Sequence, residues 1–431
     1  MKKFKSITLG CKCNQFESDS ITMQLKNRNF EYSDLDPDIV IVNTCTVTSR
    51  AGVQSRQEIR KELRKNPNVK IYVTGCHCQT QPDEIKKISP DIVLVPQDKK
   101  DSIPDLIEKN YVLSNSHINS VCTDQVFRFM PTGNFESKTR AYLKIQDGCN
   151  SFCSYCIIPY ARGRSRSMEF EVVLQELERL KKNGYKEIVL TGIHIGLYGK
   201  DLKIRTNFTS LIKYIADHKN NYPRLRISSI EPDEITDEII EIASEDSILC
   251  PHFHIPFQNG DDYILKRMKR PYSSKFLKDL TLKIKNKIPD VSIGADILLG
   301  FPGESEACFM NTYNLLKELP VSYLHVFPFS PRKNTPAAEF KNQVNGKITK
   351  KRCEIIRNLG ELKKEEFYLT QSGKRKNILF ENQRDKNTSL LKGFTQNYVQ
   401  VFFNGEDDLK NRITKLKLNY NKDKKIMDAE I

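Results

Sequence analysis

The chain has 431 residues, a formal net charge of +15 and a mean hydropathy of −0.53. This length allows two or three domains, and no run of about 18 apolar residues predicts a membrane span. The amino terminus, MKKFKSITLGCK, lacks the apolar segment of a signal peptide, so we expect a cytoplasmic protein. The excess of basic residues favours a polyanionic partner, and clustered cysteines among the twelve favour metal over disulfides.

The first 100 residues alternate short apolar runs with helical patterns, clearest at Val53–Lys65. This alternation predicts a doubly wound, parallel α/β domain, placed at residues 1–125. Its predicted strands are Ser6–Gly10, Asp38–Thr44, Lys70–Gly75 and Asp91–Val95.

A cysteine follows each of the first three predicted strands: Cys11, Cys45 and Cys76. Because parallel strands end at one edge of a sheet, these thiols should converge and hold a cluster. Two alternatives stay open. Strand-end cysteines are often small buried hydrophobes, and Cys13 and Cys78 complete two C-x-C pairs that suit zinc but leave Cys45 unexplained.

Residues 100–138 show no strong periodicity and read as a linker, in which Cys122 has no partner motif. After it, Cys149, Cys153 and Cys156 form a C-x3-C-x2-C array within QDGCNSFCSYCIIPYARGRSR. Three thiolates at this spacing hold three irons of a four-iron, four-sulfur cluster and leave one iron open. The alternatives are a structural metal loop or unrelated thiols.

The alternation then resumes in larger units, with helical patterns such as Val172–Lys182 and Lys275–Lys287. Six units predict a partial (β/α)6 barrel at residues 135–368, with the cysteine loop at the carboxyl edge of the first strand. The predicted strands are Tyr142–Gln146, Glu187–Ile195, Arg224–Ile230, His252–Phe257, Ser292–Gly300 and Tyr323–Ser330.

A charged amphipathic helix at Lys347–Phe367 leads into a segment of different character, residues 369–431. Alternating, β-prone runs there predict a small OB-like β-barrel. The runs are Lys376–Glu381, Tyr398–Phe403 and Thr414–Asn419. This basic module is expected to contact RNA, the alternative being a generic β capping domain.

The whole chain resembles the methylthiotransferases of the radical S-adenosylmethionine (SAM) superfamily. The strings that carry the resemblance are TLGCKCNQFESD, VNTCTVT, CNSFCSYCIIPYARGRSRS, TGIHIGLYG, LLGFPGE and FPFSPRKNTPAA. The resemblance implies an amino-terminal cluster domain, a radical SAM barrel and a terminal TRAM module. It also implies two 4Fe–4S clusters, one held by Cys149, Cys153 and Cys156 to bind SAM and an auxiliary one held by Cys11, Cys45 and Cys76. Cys13, Cys78 and the QNG at Gln258–Gly260 depart from the usual family residues.

The family's branches modify two different tRNA adenosines or an aspartate of a ribosomal protein. The strings NTCTVTSRAGVQSRQEIRK, HFHIPFQNGDDYILKRM and LHVFPFS resemble the branch that acts on threonylcarbamoyladenosine beside the anticodon, in ANN-decoding tRNAs. The resemblance implies that C2 of this base receives a methylthio group, with one SAM methylating sulfur and a second yielding an adenosyl radical. An electron donor such as flavodoxin or ferredoxin and a sulfur source are expected. The alternatives are isopentenyladenosine in tRNA, the ribosomal aspartate, or a non-catalytic RNA-binding protein.

Two further sets of residues complete the predicted site. Residues expected near SAM are Tyr155, Ile157, Thr191, Gly192, Glu231, Gln258 and Asp296, the last two at strand ends. Residues expected to contact RNA are Arg162, Arg164, Arg166, Lys374, Arg375 and Lys376. For each of these the alternative is ordinary packing or a solvated charge.

Overall fold

A computed structural model describes residues 1–111, 118, 126–131, 133, 139–245 and 248–430. About half of the predicted linker, including Cys122, lies outside the described residues. Among the helices that are described, none combines the length and the apolar character needed to cross a bilayer. The three domain boundaries stay predictions, and the elements fall into three groups.

The first group is a five-stranded sheet with the order β2-β1-β3-β4-β5, in which every neighbouring pair is parallel. Its strands are β1 (Lys3–Thr8), β2 (Glu31–Tyr32), β3 (Ile39–Thr44), β4 (Lys70–Gly75) and β5 (Val93–Leu94). Its helices are α1 (Lys12–Asn27), α2 (Ser49–Lys65), α3 (Cys76–Thr80), α4 (Pro82–Lys86) and α5 (Ile103–Glu108). The predicted parallel α/β arrangement is confirmed.

Local chemistry explains where two of these helices differ from prediction. Helix α2 begins at Ser49, four residues earlier than its apolar periodicity indicated, because the Thr48 hydroxyl accepts a hydrogen bond from the Ala51 amide at 3.2 Å. Helix α5 lies inside the predicted linker. Its buried Ile103 and Ile107 join the core of the sheet, and six residues are too few to show a period.

The central group is an open, parallel barrel made of two three-stranded sheets, β6-β9-β10 and β11-β12-β13. Two backbone hydrogen bonds at Leu225, both 2.8 Å long, connect the two sheets. The Leu225 amide donates to the Ile248 carbonyl, and the Leu225 carbonyl accepts from the Cys250 amide. The six barrel strands are β6 (Arg140–Lys144), β9 (Glu187–Thr191), β10 (Arg224–Ile227), β11 (His252–Gln258), β12 (Ser292–Leu299) and β13 (Tyr323–Pro328). Two short strands, β7 (Gln146–Asp147) and β8 (Arg166–Ser167), pair with each other in an antiparallel two-stranded sheet. The helices are α6 (Ile158–Arg162), α7 (Phe170–Lys182), α8 (Phe208–Asp217), α9 (Asp237–Ser244), α10 (Asp262–Arg267), α11 (Ser274–Lys287), α12 (Glu306–Glu318) and α13 (Pro336–Glu339).

The last group is the long helix α14 (Gly346–Gln371) followed by a closed five-stranded barrel, β14-β15-β16-β18-β17. The strands are β14 (Arg375–Phe380), β15 (Leu391–Thr395), β16 (Gln400–Phe403), β17 (Ile413–Asn421) and β18 (Ile426–Glu430). The sequence predicted three of them and missed β15 and β18. Strand β15 contains Gly393, which is weak in strands but necessary here, since a Cβ would lie 2.6 Å from the side chain of Ile378.

The terminal barrel docks against the amino-terminal ends of the core strands. The Arg226 guanidinium donates to the carbonyls of Thr395 and Gln396 at 3.3 and 2.9 Å, and the Tyr398 ring lies 4.7 Å from that guanidinium. The β15–β16 turn therefore closes the bottom of the open barrel. The carboxyl ends of the strands, where ligands bind in such folds, stay free for a site.

Candidate active site

The C-x3-C-x2-C array lies on a loop between β7 and α6, at the carboxyl edge of the barrel. The loop needs Gly148, which has φ +72° and whose added Cβ would lie 1.9 Å from the carbonyl oxygen of Arg164. The Cys149 amide donates to the Gly163 carbonyl at 3.1 Å, and the Cys156 amide donates to the Cys153 carbonyl at 3.0 Å. These bonds fold the loop so that its three thiols belong to one compact turn.

Hydrogen-bond donors lie against two of these thiols. His194 Nδ1 is 3.3 Å from Cys149 Sγ, and the Arg270 guanidinium donates to Cys153 Sγ at 3.2 Å. Burial acts to raise the pKa of Cys149, but the hydrogen bonds of His194 and Ser151 outweigh it and lower that pKa. Burial raises the pKa of Cys156 to about 12. His194 and Arg270 thus supply hydrogen-bond donors for sulfur atoms that carry negative charge, as metal-bound thiolates do.

The amino-terminal cysteines also meet at one edge of their sheet. Cys11 precedes α1, Cys45 follows β3 and Cys76 begins α3. A Cβ on Gly10 would lie 2.6 Å from Cys45 Sγ, and the three thiols influence one another's ionisation. The hydrogen bond from Cys13 is the main reason that the pKa of Cys11 falls to about 6.

The two additional thiols of the C-x-C pairs differ in their surroundings. Cys78 is fully buried, and its S–H group donates to the carbonyls of Val73 at 3.2 Å and Val95 at 3.8 Å. It therefore faces the sheet and not the other thiols. Cys13 Sγ lies 3.8 Å from the Thr191 hydroxyl, so this thiol bridges α1 to the end of β9. A zinc site made of both C-x-C pairs does not fit this arrangement.

A buried ion network lies between the two cysteine sites. Two carboxylates, Glu17 and Asp147, share four cationic side chains, and all six residues are at least 90% buried. The cations are Lys100, Lys144, Arg162 and Arg166, with ion-pair distances from 2.6 to 3.2 Å. Both carboxylates have a pKa well below the usual range, because the buried cations outweigh the effect of burial. The network joins the amino-terminal sheet to the barrel.

Arg162 connects this network to both cysteine sites. It ends α6, the helix that follows the C-x3-C-x2-C loop, and its guanidinium contacts Asn14, Glu17 and the Cys76 thiol. Gln97 donates a hydrogen bond to Cys76 Sγ at 3.6 Å. The proximity of Arg162 to Cys76 could not be predicted from the sequence, since the two residues are 86 positions apart and on different domains.

The arrangement corrects the predicted RNA contacts at two of the three arginines after the loop. Arg162 is 1% exposed and Arg166 is 6% exposed, so neither guanidinium is available to a phosphate. Arg164 is exposed and lies 4.6 Å from the Phe152 ring. The alternation R-G-R-S-R suggested a basic surface, but two of its members are buried because carboxylates far along the chain neutralise them.

Four of the residues predicted near SAM surround the loop or adjacent strand ends. The Tyr155 ring packs edge-on against Phe301 at 6.5 Å, and Ile157 is buried before α6. Thr191 ends β9, and a Cβ on Gly192 would lie 2.9 Å from the Gln146 amide oxygen.

A fifth, Glu231, follows β10 and forms an ion pair with Arg270, the same guanidinium that contacts Cys153. Burial raises the pKa of Glu231. Sequence reasoning singled out Glu231 but not Arg270 or His194. An arginine and a histidine carry no spacing signal toward cysteines 117 and 45 residues away.

The last two predicted positions differ from each other. Gln258 ends β11 with φ +65°, at a register shift against β12. Asp296 is in the middle of β12 and not at a strand end, which corrects the prediction. Its carboxylate lies 2.8 Å from His254 Nε2 and 3.4 Å from His325 Nδ1, and their charges and hydrogen bonds outweigh burial and lower its pKa to about 2.

The basic residues predicted on the terminal barrel are divided between two environments. Lys374 and Lys376 reach Asp290 of the barrel core at 2.5 and 2.6 Å, which fixes the two domains to each other. Arg375, between them, is exposed. Only Arg375 of this set presents a guanidinium or ammonium group fully to solvent.

Comparison with known proteins identifies the family. The chain matches the family model of the Radical SAM superfamily over residues 143–316 and that of Uncharacterized protein family UPF0004 over residues 3–96. It is 39% identical to the threonylcarbamoyladenosine tRNA methylthiotransferase MtaB of Bacillus subtilis over 95% of this chain and 92% of the relative. The chain belongs to the radical SAM methylthiotransferase family. It is an enzyme of that class.

A second relative agrees with this assignment, and a solved structure shows a similar fold. The Rickettsia prowazekii protein of the same name is 37% identical over 89% of this chain and 88% of the relative. The fold is similar to the radical SAM methyltransferase TsrM from Kitasatospora setae, with a TM-score of 0.59 and 15% identity over 78% of this chain and 77% of that one.

The cofactors of this methylthiotransferase are two 4Fe–4S clusters and SAM, and both cysteine sites fit that donor set. Each site combines three free thiols with buried donors aimed at sulfur. Cys13, which hydrogen-bonds to Cys11, is a further thiol beside the amino-terminal site. Three protein ligands leave one iron of a cluster open to another ligand. When bound, the cluster at Cys149, Cys153 and Cys156 supplies the electron that cleaves SAM.

Proposed function

We propose that this enzyme methylthiolates C2 of N6-threonylcarbamoyladenosine beside the anticodon of tRNA. The observation that carries the proposal is the direct bridge between the two cysteine sites. Arg162 follows one site in the sequence and contacts Cys76 of the other, and Glu17 and Asp147 hold it rigidly. A reaction that generates a radical at one site and transfers sulfur from the other needs such a fixed separation.

The interior of the open barrel supports a polar substrate. Lys12, at the start of α1, is within electrostatic reach of Arg226, Arg140 and Glu187, and burial followed by the charges of the two arginines lowers its pKa to about 8. His254 and His325 line the same interior around Asp296. The threonylcarbamoyl group carries a free carboxylate, which suits nearby cations, whereas an isopentenyl group gains nothing from them.

The relatives give a second line of support for this substrate. Relatives named for threonylcarbamoyladenosine include those of Bacillus subtilis and Rickettsia prowazekii at 39% and 37% identity. A Fusobacterium nucleatum relative named tRNA-2-methylthio-N(6)-dimethylallyladenosine synthase is 35% identical over 97% of this chain. The identities to the two groups of relatives differ by only a few per cent, so the charged groups of the barrel interior are the main support for this substrate.

The residues around the sites have defined tasks in this proposal. Arg270 and Glu231 position the cysteine loop and the ribose side of SAM, and His194 orients Cys149. Arg164 and Arg375 offer exposed guanidinium groups to RNA phosphates. An electron donor such as flavodoxin or ferredoxin and a sulfur source complete the reaction. Because the cytoplasm contains tRNA and keeps thiols reduced, we place the enzyme there.

The test is reconstitution of the protein under anaerobic conditions with iron, sulfide, SAM and a reductant. Wild type should hold about eight irons, and the Cys149/Cys153/Cys156→Ala triple variant about four. Mass spectrometry of nucleosides should then show the methylthio mark on tRNA bearing threonylcarbamoyladenosine, lost in Cys153→Ala and Cys45→Ala but kept in the matched control Cys78→Ala.

Three outcomes would contradict the proposal. A mark on isopentenyladenosine but not on threonylcarbamoyladenosine would reassign the substrate, and a mark on a ribosomal protein would reassign the branch. Four irons in wild type that fall to none in the triple variant would remove the auxiliary cluster.

A further inference from the structure

A chain of aromatic rings runs along the inner face of β13, the edge strand of the open barrel. Successive ring centroids are 5.3 Å apart from Tyr323 to His325 and 6.5 Å apart from His325 to Phe327. Behind them, the His254 ring lies 4.9 Å from that of His325. The spacing is that of ring pairs in contact, so the residues form one surface and not isolated side chains.

The outer end of this chain of rings is open to solvent. His325 is 55% exposed at its side chain and Phe327 is 42% exposed, while Val326 between them is buried. In a barrel strand the inward-facing side chains are normally covered by those of other strands. Here the barrel ends at β13, so the two rings face the opening and folding covers neither of them fully.

One of the two exposed rings, that of His325, is held in place from behind. His254 Nε2 and His325 Nδ1 both face Asp296, and His254 Nδ1 lies 3.0 Å from the Tyr323 hydroxyl. A ring fixed by its neighbours loses little conformational entropy when a partner stacks on it.

The chain of rings leads toward the junction between the two cysteine sites. Three residues after Phe327, the Ser330 hydroxyl accepts a hydrogen bond from the Ser49 amide of the amino-terminal domain at 3.0 Å. Arg332, two residues further on, donates a hydrogen bond to the Ser49 hydroxyl at 2.8 Å. A group resting on His325 and Phe327 would thus be on the strand that leads directly to this contact between the barrel and the amino-terminal domain.

We propose that His325 and Phe327 form a platform on which one unstacked base of the RNA substrate lies while it enters the site. A flat aromatic base is the occupant that such rings select, because every base offers a π-face and must leave its own stack before its ring carbon can be reached. The inference rests on the proposed function, since it assumes an RNA substrate. It adds the residues that receive the base.

The experiment is a double-mutant cycle between the protein ring and the RNA base. Fluorescence anisotropy measures the dissociation constant of the anaerobically reconstituted full chain for an anticodon stem-loop. One stem-loop is intact and one lacks the base of the nucleotide beside the anticodon. The protein variants are wild type, Phe327→Leu, which keeps apolar volume without a ring, and Phe327→Ala. Tyr263→Ala removes a ring that is 55% exposed on α10 and serves as the control.

For the intact stem-loop, Phe327→Ala should weaken binding roughly 5- to 150-fold, with Phe327→Leu close to it. For the abasic stem-loop, wild type and both Phe327 variants should bind equally, and Tyr263→Ala should change neither RNA. Equal losses for both RNAs, or no loss for either, would overturn the platform.

The outcome is independent of catalysis. Coupling between ring and base without any methylthio product would keep the platform and refute the reaction. A normal product without coupling would refute the platform alone.

Discussion

The buried network between the two cysteine sites gives a sharp test of how the domains are held together. Glu17 is 2% exposed, and its carboxylate accepts hydrogen bonds from Lys100 at 2.6 Å, Lys144 at 2.8 Å and Arg162 at 2.9 Å. Glu17→Gln keeps the shape but removes the charge, which leaves four buried cations with the single carboxylate of Asp147. Removing one partner of a buried ion pair costs about 3–5 kcal/mol, so we expect a loss of that size at pH 7.

The network also predicts that removal of a carboxylate lowers the stability more than removal of a cation. It contains four cations and two carboxylates, so Arg162→Met leaves three cations for two carboxylates. The apoprotein should therefore lose less stability from Arg162→Met than from Glu17→Gln. The control is Glu241→Gln, whose carboxylate is 63% exposed and 3.7 Å from Lys287, and which should cost at most about 1 kcal/mol.

The pH dependence of the Glu17 effect has a defined sign. The pKa of Glu17 is depressed in the folded protein, so its stabilisation is complete above the unfolded pKa of about 4.3 and falls as the pH drops toward the folded pKa. The gap between wild type and Glu17→Gln should thus be full at pH 7 and shrink below about pH 4.

The assay is urea unfolding of the reduced apoprotein followed by circular dichroism. A Glu17→Gln loss below about 1 kcal/mol would refute the reasoning, because that is the scale of an exposed pair. A larger loss from Arg162→Met than from Glu17→Gln would refute the asymmetry.

Three further predictions concern single positions. Cys78→Ala should leave the iron content unchanged and cost roughly 1–2 kcal/mol in unfolding free energy, since the bonds of its S–H group to two carbonyls and the packing of one buried sulfur atom are lost. Gly75→Ala should cost about 3 kcal/mol and halve the iron content, because φ is +95° and a Cβ would lie 2.3 Å from a carbonyl oxygen of β3, so Cys76 would shift. Asp290→Asn should lower the unfolding free energy by at most about 1 kcal/mol for each partly exposed pair, with Lys374 and with Lys376. Unchanged iron in Gly75→Ala, halved iron in Cys78→Ala or a larger loss in Asp290→Asn would contradict the respective prediction.

The sequence by itself determined the regular part of this protein. Apolar runs bounded by helical patterns were sufficient to predict β3, β4 and the six main strands of the open barrel. In β3, β4 and β9 the reason is burial on both faces, which makes a strand continuous in hydrophobicity. The spacing of Cys149, Cys153 and Cys156 was local and indicated its chemistry directly. Short elements such as β2, β18 and α5 were missed because their few residues carry too little periodicity.

Only the tertiary structure decided what surrounds those cysteines and which charges meet. Arg162 and Arg166 look like surface residues in the sequence, yet they are buried because Glu17 and Asp147 neutralise them. Asp296 lies within its strand, between two imidazoles from neighbouring strands. The physical reason is general. Hydrophobic periodicity is a property of one segment, whereas a buried charge is stable only with partners that the fold brings from elsewhere in the chain.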